Sequence, residues 1–500
     1  MKKIFVFSAL TALATSAVLG ADNYLIANQI SGSAFGSQWT EGTRTTTDDL
    51  FFDASKYFEA NPNETGWTIQ SNMFLGYKDK NYSTANSLTI QNLYKDNGDG
   101  TNTPVTVRFI SPQGGNETSE YGLNITNDLN YVTGTQVQKF IFLSKNQTES
   151  RVVVSVGGNV NVGSADTKAS NSGYLAFGGY ENGTTLKRVD IGGNVNIYGS
   201  AELQLSVGTI GNASSFASSD LKASGSLNMY SADGVAPTLL VNALSSDNLG
   251  TGQGLNSTID FAGINGVGTI KTAGGTTAFT SNTWLLSRIT SGNTAEFAGT
   301  IIDGKAGKTS IIHIGMFGYG KQILRGEIDI WGELRVGRGE LLANGKKVGK
   351  IVIGHAGSVG RLGAISLNSE FGTINATGFE LLTSTSSLLF DINGTNQDVI
   401  NIAGDMDMTS RKLNIEFTSL ANIQQDAEYK LVSFETLSNG DINSFTTKFL
   451  EGYDGELFLK DNALWVKFTT VLPSAVPEPA EWAMIFGGIA LALAIYRRRK

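Results

Sequence analysis

The sequence predicts an all-β protein, built as an elongated right-handed parallel β-helix, with a targeting segment at each end. Short runs that alternate apolar and polar residues follow one another, separated by glycine, asparagine, serine or aspartate. One such run returns 35 residues later in nearly the same form. Between Pro112 and Pro473 the only proline is Pro237, so little obstructs strand pairing over this length. These observations together favour a solenoid of short rungs.

Composition narrows the class of protein. The chain has 500 residues, 60 glycines, no cysteine and a net charge of −8. An exported chain without disulfides must be stabilised by its own core and strand ladders, which suits a large sheet structure. The lack of cysteine also excludes thiolate catalysis and thiolate metal sites within the chain. Basic residues are scattered except at the C-terminus, so no nucleic-acid surface is indicated.

The first 21 residues read as a signal peptide. Lys2 and Lys3 precede the mostly apolar run 4–13, and small residues then continue to Ala21. A charged start, an apolar middle and a small-residue end are typical of secretory signals. We expect cleavage after Ala21, with Ala17 as the alternative, and export of the remainder.

Residues 22–109 are predicted to be an N-terminal capping region. The segment Asp53–Ala60 predicts a short helix that Asn61 and Pro62 end. Aromatic residues are concentrated here, and we expect them to cover the open end of the solenoid. A carbohydrate-binding platform is the alternative. The aromatic residues are Trp39, Phe51, Phe52, Tyr57, Phe58, Trp67, Phe74, Tyr77, Tyr82 and Tyr94.

Residues 110–382 are predicted to form the β-solenoid itself. The segment 155–162 (SVGGNVNV) recurs at 190–197 (DIGGNVNI), with a weaker echo at 225–229 (GSLNM). Alternation within each copy buries one face of a strand, and its asparagines are expected to form ladders between neighbouring coils. Two or more β-sandwiches are the alternative. The segment Ala295–Gly304 resembles the strand-turn units of autotransporter-associated β-repeat proteins.

Residues 383–468 are predicted to be a C-terminal β-rich cap, followed by a linker at 469–475. The runs 455–459 and 463–468 alternate on either side of Lys460-Asp461-Asn462 and predict a β-hairpin.

The last 25 residues have three parts. Two prolines flank a glutamate in Val476-Pro477-Glu478-Pro479, which keeps this segment extended. The uncharged run 482–496 predicts a membrane-spanning helix slightly short for a core of roughly 30 Å. Its expected membrane contacts are Trp482, Phe486 and Tyr496. The expected stop-transfer cluster is Arg497, Arg498, Arg499 and Lys500.

In this order, the three parts resemble the PEP-CTERM sorting signal of bacterial exported proteins. The resemblance implies recognition of residues 477–479 by an exosortase-type membrane transpeptidase, after delivery by the secretion machinery. It implies a transiently membrane-anchored chain that reaches the cell envelope, cell surface or extracellular matrix. An ordinary C-terminal membrane anchor is the alternative.

Few residues suggest chemistry. His313 and His355 lie 42 positions apart in no recognised metal spacing, and we expect both to be structural. A β-helical polysaccharide enzyme would need paired carboxylates. The candidates are Asp303, Glu327, Asp329 and Glu340, with Arg325, Arg335 and Arg338 nearby. Alternation makes a solvated strand face the preferred interpretation of these carboxylates and of Asp405 and Asp407. The segment 95–101 is expected to be a turn rather than a calcium loop.

We therefore predict no catalytic residue, metal or cofactor. The preferred hypothesis is a non-catalytic structural or adhesive surface protein whose possible partners include exopolysaccharide or other surface glycans. The alternatives are a polysaccharide-acting enzyme, or a glycan- or ice-binding module with flat threonine or asparagine rows, displayed by the same route.

Overall fold

In a computed structural model, the structure describes residues 22–25, 29–30, 49–71, 83–111, 120–133, 138–144, 151–164, 173–177, 188–205, 220–241, 255–272, 281–303, 310–366, 371–471 and 497. The predicted signal peptide, the Pro-Glu-Pro motif and the predicted membrane span lie outside these residues. Within them, no helix has the length and apolar character needed to cross a bilayer.

The elements, in chain order, are as follows. The first part contains β1 (Asp22–Tyr24), β2 (Gln29–Ile30), β3 (Asp49–Asp53), α1 (Ala54–Ala60), β4 (Trp67–Ser71), β5 (Ser83–Ala85), β6 (Ser87–Gln91), β7 (Tyr94–Asp96), β8 (Asn102–Pro104), β9 (Thr106–Ser111), β10 (Glu120–Ile125), β11 (Leu129–Tyr131), β12 (Lys139–Ser144), β13 (Arg151–Val156), β14 (Val160–Val162) and β15 (Tyr174–Phe177). The middle contains β16 (Arg188–Ile191), β17 (Val195–Tyr198), β18 (Glu202–Leu205), β19 (Asp220–Ala223), β20 (Leu227–Tyr230), β21 (Thr238–Val241), β22 (Leu255–Phe261), β23 (Ile264–Gly266), β24 (Thr269–Thr272), β25 (Ser281–Ser287), β26 (Thr294–Phe297), β27 (Thr300–Ile302), β28 (Ser310–Met316), β29 (Lys321–Asp329) and β30 (Glu333–Val336). The last part contains β31 (Gly339–Val348), β32 (Lys350–Ile353), β33 (Gly360–Ala364), β34 (Thr373–Ala376), β35 (Phe379–Leu381), β36 (Ser387–Asn393), β37 (Asn396–Gln397), β38 (Val399–Ile402), β39 (Asp405–Asp407), β40 (Leu413–Ala421), β41 (Glu428–Ser433), β42 (Thr436–Ser438), a 3₁₀ turn (Ile442–Ser444), β43 (Phe445–Lys448), β44 (Tyr453–Lys460) and β45 (Ala463–Val471).

These strands stack in parallel into a β-helix with three faces. The first face is one sheet that runs from β5 through β10, β13 and β16 to β42. The second face includes β11, β14, β17, β20 and β23, and the third includes β12, β15, β18, β21 and β24. A typical coil is therefore β16–β17–β18, followed by β19–β20–β21. Parallel pairing between successive coils from β1 to β43 makes the β-sandwich alternative wrong for the described residues, because sandwiches are antiparallel.

The core is a row of inward side chains on each face. On the second face, the buried positions Leu129, Val160, Val195, Leu227 and Ile264 lie in one column across five coils. Period-two alternation along each strand causes this, because every second side chain points inward.

Aromatic side chains add to the core of the third face. Phe142 and Phe177 are register partners there, and their rings stack at 5.4 Å, while Phe140 stacks at 5.7 Å on Phe52 of the second face. Flat rings repeat well across parallel coils because aligned positions lie only about 4.8 Å apart.

The N-terminal region confirms the predicted short helix. Asp53 caps α1 by accepting a hydrogen bond from the Ser55 amide at 3.0 Å, and Asn61 ends it. Tyr57, Phe58 and Trp67 are buried, so a carbohydrate platform is wrong for these aromatics. Parallel pairing already includes β1 and β3, so the boundary expected at residue 109 has no counterpart in the sheet. Trp39, Phe74, Tyr77 and Tyr82 lie outside the described residues.

The C-terminal end changes from parallel to antiparallel pairing. Parallel coils continue to β43, well beyond the boundary expected at residue 382. The predicted hairpin is confirmed: β44 and β45 pair antiparallel around Asp461 and Asn462, and β45 pairs antiparallel with β41.

Candidate functional surface

An asparagine ladder lies on the outside of the second face. From the second member onward, the amide Nδ2 of each asparagine donates to the Oδ1 of the asparagine one coil before it, at 2.8–3.0 Å. The members are Asn130, Asn161, Asn196, Asn228 and Asn265. This confirms the ladder predicted from the repeat and extends it by one coil at each end. Each amide keeps a second N–H and a second lone pair.

A second ladder explains the Gly-Gly-Asn motif. The Oδ1 atoms of Asp128, Asn159 and Asn194 each accept a backbone N–H from the next coil, at 2.6–2.8 Å. The glycines pass so close that a Cβ on Gly192 would lie 2.1 Å from the Gly157 carbonyl oxygen. Glycine is therefore required because neighbouring backbones touch at this corner.

A column of exposed apolar side chains lies beside the asparagine ladder. Tyr198 and Tyr230 are register partners, and their rings stack at 4.7 Å with 12° between planes. Val267 follows Tyr230 in this column, and Val132 precedes Tyr198 by two coils, with Gly163 between them; both valines are about two-fifths exposed, like Tyr230. Burial and the neighbouring Tyr230 raise the pKa of Tyr198. Amides and tyrosines two positions apart thus share one outward face.

A short threonine row lies on the third face. Thr238, Thr269 and Thr300 are aligned on successive coils, and Glu202 precedes them in the same column. The regular rows expected of an ice-binding face are therefore limited here to three members.

The candidate carboxylates fall into three groups: Glu340, Glu327, and the neighbouring pair Asp303 and Asp329. Glu340 bridges Lys321 at 2.8 Å and Arg361 at 2.6 Å, and Arg361 continues to Glu416 at 2.8 Å. This network crosses coils along the outside of the second face. Glu327 instead pairs with exposed Lys346 at 2.8 Å.

Asp303 is a buried structural carboxylate. Its two oxygens accept the backbone N–H groups of Ile312 at 2.6 Å and Trp331 at 2.5 Å. Burial raises its pKa to about 6, and the nearby charge of Asp329 acts in the same direction, against the effect of these two donors. The backbone carbonyl of Asp329 accepts the Asp303 N–H at 3.0 Å.

The three candidate arginines are each engaged. Arg325 pairs with Glu296 at 2.9 Å and Arg335 pairs with Glu333 at 2.8 Å. Arg338 donates to Ser358 Oγ at 2.8 Å and lies over the ring of Tyr319.

The two histidines occupy different places: His313 lies on β28 of the first face, and His355 lies in the turn that follows β32. His313 stacks on Trp284 at 4.5 Å, and its Nδ1 accepts the Glu333 amide at 3.1 Å. Burial lowers the pKa of His313, which favours the neutral ring. His355 is exposed in a turn and meets the edge of the Phe317 ring. Across the described ranges, no group of three or more histidine, aspartate or glutamate side chains could hold a metal ion.

The remaining candidates are turns or strand faces, as predicted. Segment 95–101 lies in the β7–β8 hairpin, where Asp99 accepts the Thr101 amide at 2.9 Å. Asp405 is exposed on β39, and its carboxylate accepts the Thr436 hydroxyl at 2.7 Å. The Asn439 amide and the Thr409 backbone N–H lower the pKa of Asp407.

Two features were not predicted from the sequence: a buried aspartate and a pair of stacked tyrosines. Asp398 is buried and accepts the amides of Gly372 at 2.7 Å and Asp391 at 2.8 Å. Burial raises its pKa to about 7. The Tyr198–Tyr230 pair was also missed, although extending the repeat alignment by one residue beyond 197 and 229 would have found it.

No protein-family model and no curated protein sequence matches this chain.

Proposed function

We propose that this chain is an exported, non-catalytic surface or extracellular-matrix protein whose right-handed β-solenoid serves as a structural or adhesive shaft. The observation that carries the proposal is the parallel stack itself, which continues from β3 to β43 with aligned polar ladders on its outside. Such a shaft is long, stiff and repetitive, and it exposes one continuous face to partners.

Export rests on the two termini. The signal-peptide pattern ending at Ala21 delivers the chain to the secretion machinery, and the helix predicted for residues 482–496 holds it transiently in the membrane. An exosortase-type transpeptidase then recognises Pro477-Glu478-Pro479 and transfers or releases the body to the cell envelope.

Mass spectrometry of the mature C-terminus tests this route. We expect the exported wild-type protein to lack Arg497–Lys500, and a Glu478→Ala chain to retain them in the membrane fraction. A matched Glu451→Ala change, which alters a glutamate before β44, should leave processing unchanged. An exported wild-type chain that keeps its basic end would contradict processing and favour an ordinary anchor.

Glycan binding is the second candidate, and the face formed by the asparagine ladder and Tyr198–Tyr230 favours it. The half-buried amides of Asn161 and Asn228 offer hydrogen-bond donors and acceptors to hydroxyls, whereas Asn196 between them is buried; ring edges and valines offer apolar contact. A panel of a neutral glucan, chitin and a uronic-acid polymer tests it by pull-down. We expect Tyr230→Ala to reduce retention, whereas Tyr319→Ala, which removes an exposed tyrosine on another surface, should not. Equal retention of both variants would remove this face from consideration.

The alternative of a polysaccharide-acting enzyme has a direct test. Glu340 is bridged by two cations, so we expect Glu340→Gln to change only the stability of the protein. We expect neither the wild type nor this variant to depolymerise any polymer of the panel. If the wild type depolymerised a polymer of this panel and Glu340→Gln abolished that activity, the enzyme hypothesis would be established.

A further inference from the structure

The last strand of the third face leaves one edge without a described partner. The order at this end is β38, β41, β45 and β44, and β45 covers one edge of β44. Among the described strands, none pairs with the other edge. Natural sheets usually cover, shorten or charge such edges, because free backbone groups recruit another strand.

The hairpin geometry fixes which residues face outward. Asp461 and Asn462 both have positive φ, 51° and 52°, as in a two-residue type I′ turn. Lys460 and Ala463 next to the turn therefore exchange backbone hydrogen bonds. Along β44, the backbone N–H and C=O groups then point alternately toward β45 and toward the open edge. The backbone groups of Leu457 and Leu459 consequently face the open edge.

The same strand carries charges of both signs. Asp454, Glu456 and Lys460 are exposed on β44, and Leu459 is 40% exposed. Lys460 Nζ also lies 2.7 Å from Glu428 Oε2 on β41, and about half of its side chain remains accessible. Asp454 Oδ1 also accepts the Gly455 amide at 2.8 Å, which occupies one of the outward donors.

We propose that β44 pairs antiparallel with β44 of a second copy of this chain, about a two-fold axis at Leu457. In this register Leu457 lies opposite itself and Gly455 lies opposite Leu459. Asp454 then lies opposite Lys460 twice, once on each side of the axis. Centring the axis on Glu456 would instead place two like charges opposite each other, which is destabilising.

The pairing forms about four backbone hydrogen bonds across the axis, two between the Leu457 residues and two from Leu459 to Gly455. It continues the third face from one copy into the next, so two shafts join tail to tail. Because β45 ends at Val471, both predicted linkers start beside the junction.

Single cysteines test the register, since the chain has no cysteine of its own. In the full-length protein in detergent, oxidation should cross-link Leu457→Cys as a dimer. A Cα separation of about 5.5 Å is expected for this facing pair, within disulfide range. Leu459→Cys is the matched control: the Cα atoms of its two copies would lie about 14 Å apart and should stay uncross-linked.

Three outcomes would overturn the proposal. They are a monomeric wild type in sedimentation velocity, equal cross-linking at 457 and 459, and cross-linking of Phe458→Cys without that of Leu457→Cys. The last would place the axis one residue further along, and equal cross-linking would indicate association through the hydrophobic tail.

Charge reversal gives an independent readout that needs no cysteine. Lys460→Glu should raise the dimer dissociation constant about tenfold, because it places like charges opposite each other at two positions. Lys460 also pairs with Glu428 within the chain at 2.7 Å, so Glu428→Gln, which removes only that pair, is the control and should leave the constant unchanged. In the Glu428→Gln background, combining Lys460→Glu with Asp454→Lys should restore the value of that background. Loss of dimer in the double variant as large as in the single variant, with β-sheet circular dichroism unchanged, would refute the pairing.

Discussion

Replacing Asn196 by alanine breaks the asparagine ladder at its centre. The Asn196 side chain donates to Asn161 at 2.8 Å and accepts from Asn228 at 2.9 Å, and the residue is only 8% exposed. Two hydrogen bonds are lost, and two neighbouring amides lose a partner. Water reaches this position poorly, so solvent compensates little.

The magnitude follows from the count of bonds. At roughly 1 kcal/mol net per hydrogen bond, with an added penalty for the unpaired neighbours, the loss is about 2–3 kcal/mol. Asn130 at the ladder end accepts only the Asn161 bond, so its alanine variant should lose about 1 kcal/mol.

Hydrogen exchange is the appropriate assay, because solenoids open locally and a single global unfolding energy is poorly defined for them. A peptide covering residues 188–205 should exchange about 30–150 times faster in Asn196→Ala, since 1.4 kcal/mol corresponds to tenfold. Asn130→Ala should accelerate its own coil about fivefold. A peptide from 387–421 serves as the internal reference.

Two results would refute this reasoning. Exchange in Asn196→Ala within threefold of wild type would mean that water replaces the ladder at little cost. An equal effect of Asn130→Ala would mean that the number of ladder bonds does not determine stability.

Three further predictions address the backbone, the buried acids and the surface ions. Gly192→Ala should prevent proper folding of its coil, measured as loss of exchange protection, because its Cβ would lie 2.1 Å from a carbonyl oxygen; Gly66→Ala, with open space around it, is the control. The pKa values of Asp303 and Asp398 are raised to about 6 and about 7, so the folded state holds protons that the unfolded state releases. The contribution of these two groups to the free energy of unfolding should thus be fully present below about pH 4 and be lost as the pH rises to about 7. Asp398→Asn should be less stable than the wild type, and its stability should depend less on pH. An unchanged pH dependence in this variant would contradict the prediction. Glu340→Gln should lower the melting temperature only slightly, corresponding to about 1 kcal/mol, because its two cationic partners are partly solvated.

Local sequence patterns predicted much of the fold. Alternation and the 35-residue recurrence predicted the coils and the register of Asn161 on Asn196. The capping signal at Asp53 predicted α1, and a turn between alternating runs predicted the β44–β45 hairpin. Each of these elements depends on residues a few positions apart or on a clear sequence repeat. The sequence alone therefore determined them.

Only the tertiary structure decided which outward residues meet. Sequence spacing placed Glu327, Asp329 and Glu340 close along the chain, yet Glu340 joins Arg361 in the next coil and Glu327 joins Lys346. The coils vary in length, so the residue above any position cannot be counted from the sequence. Inward and outward faces follow from period two, but partners across coils follow from where each loop returns the chain. That return decided the burial of Asp398 and the open edge of β44.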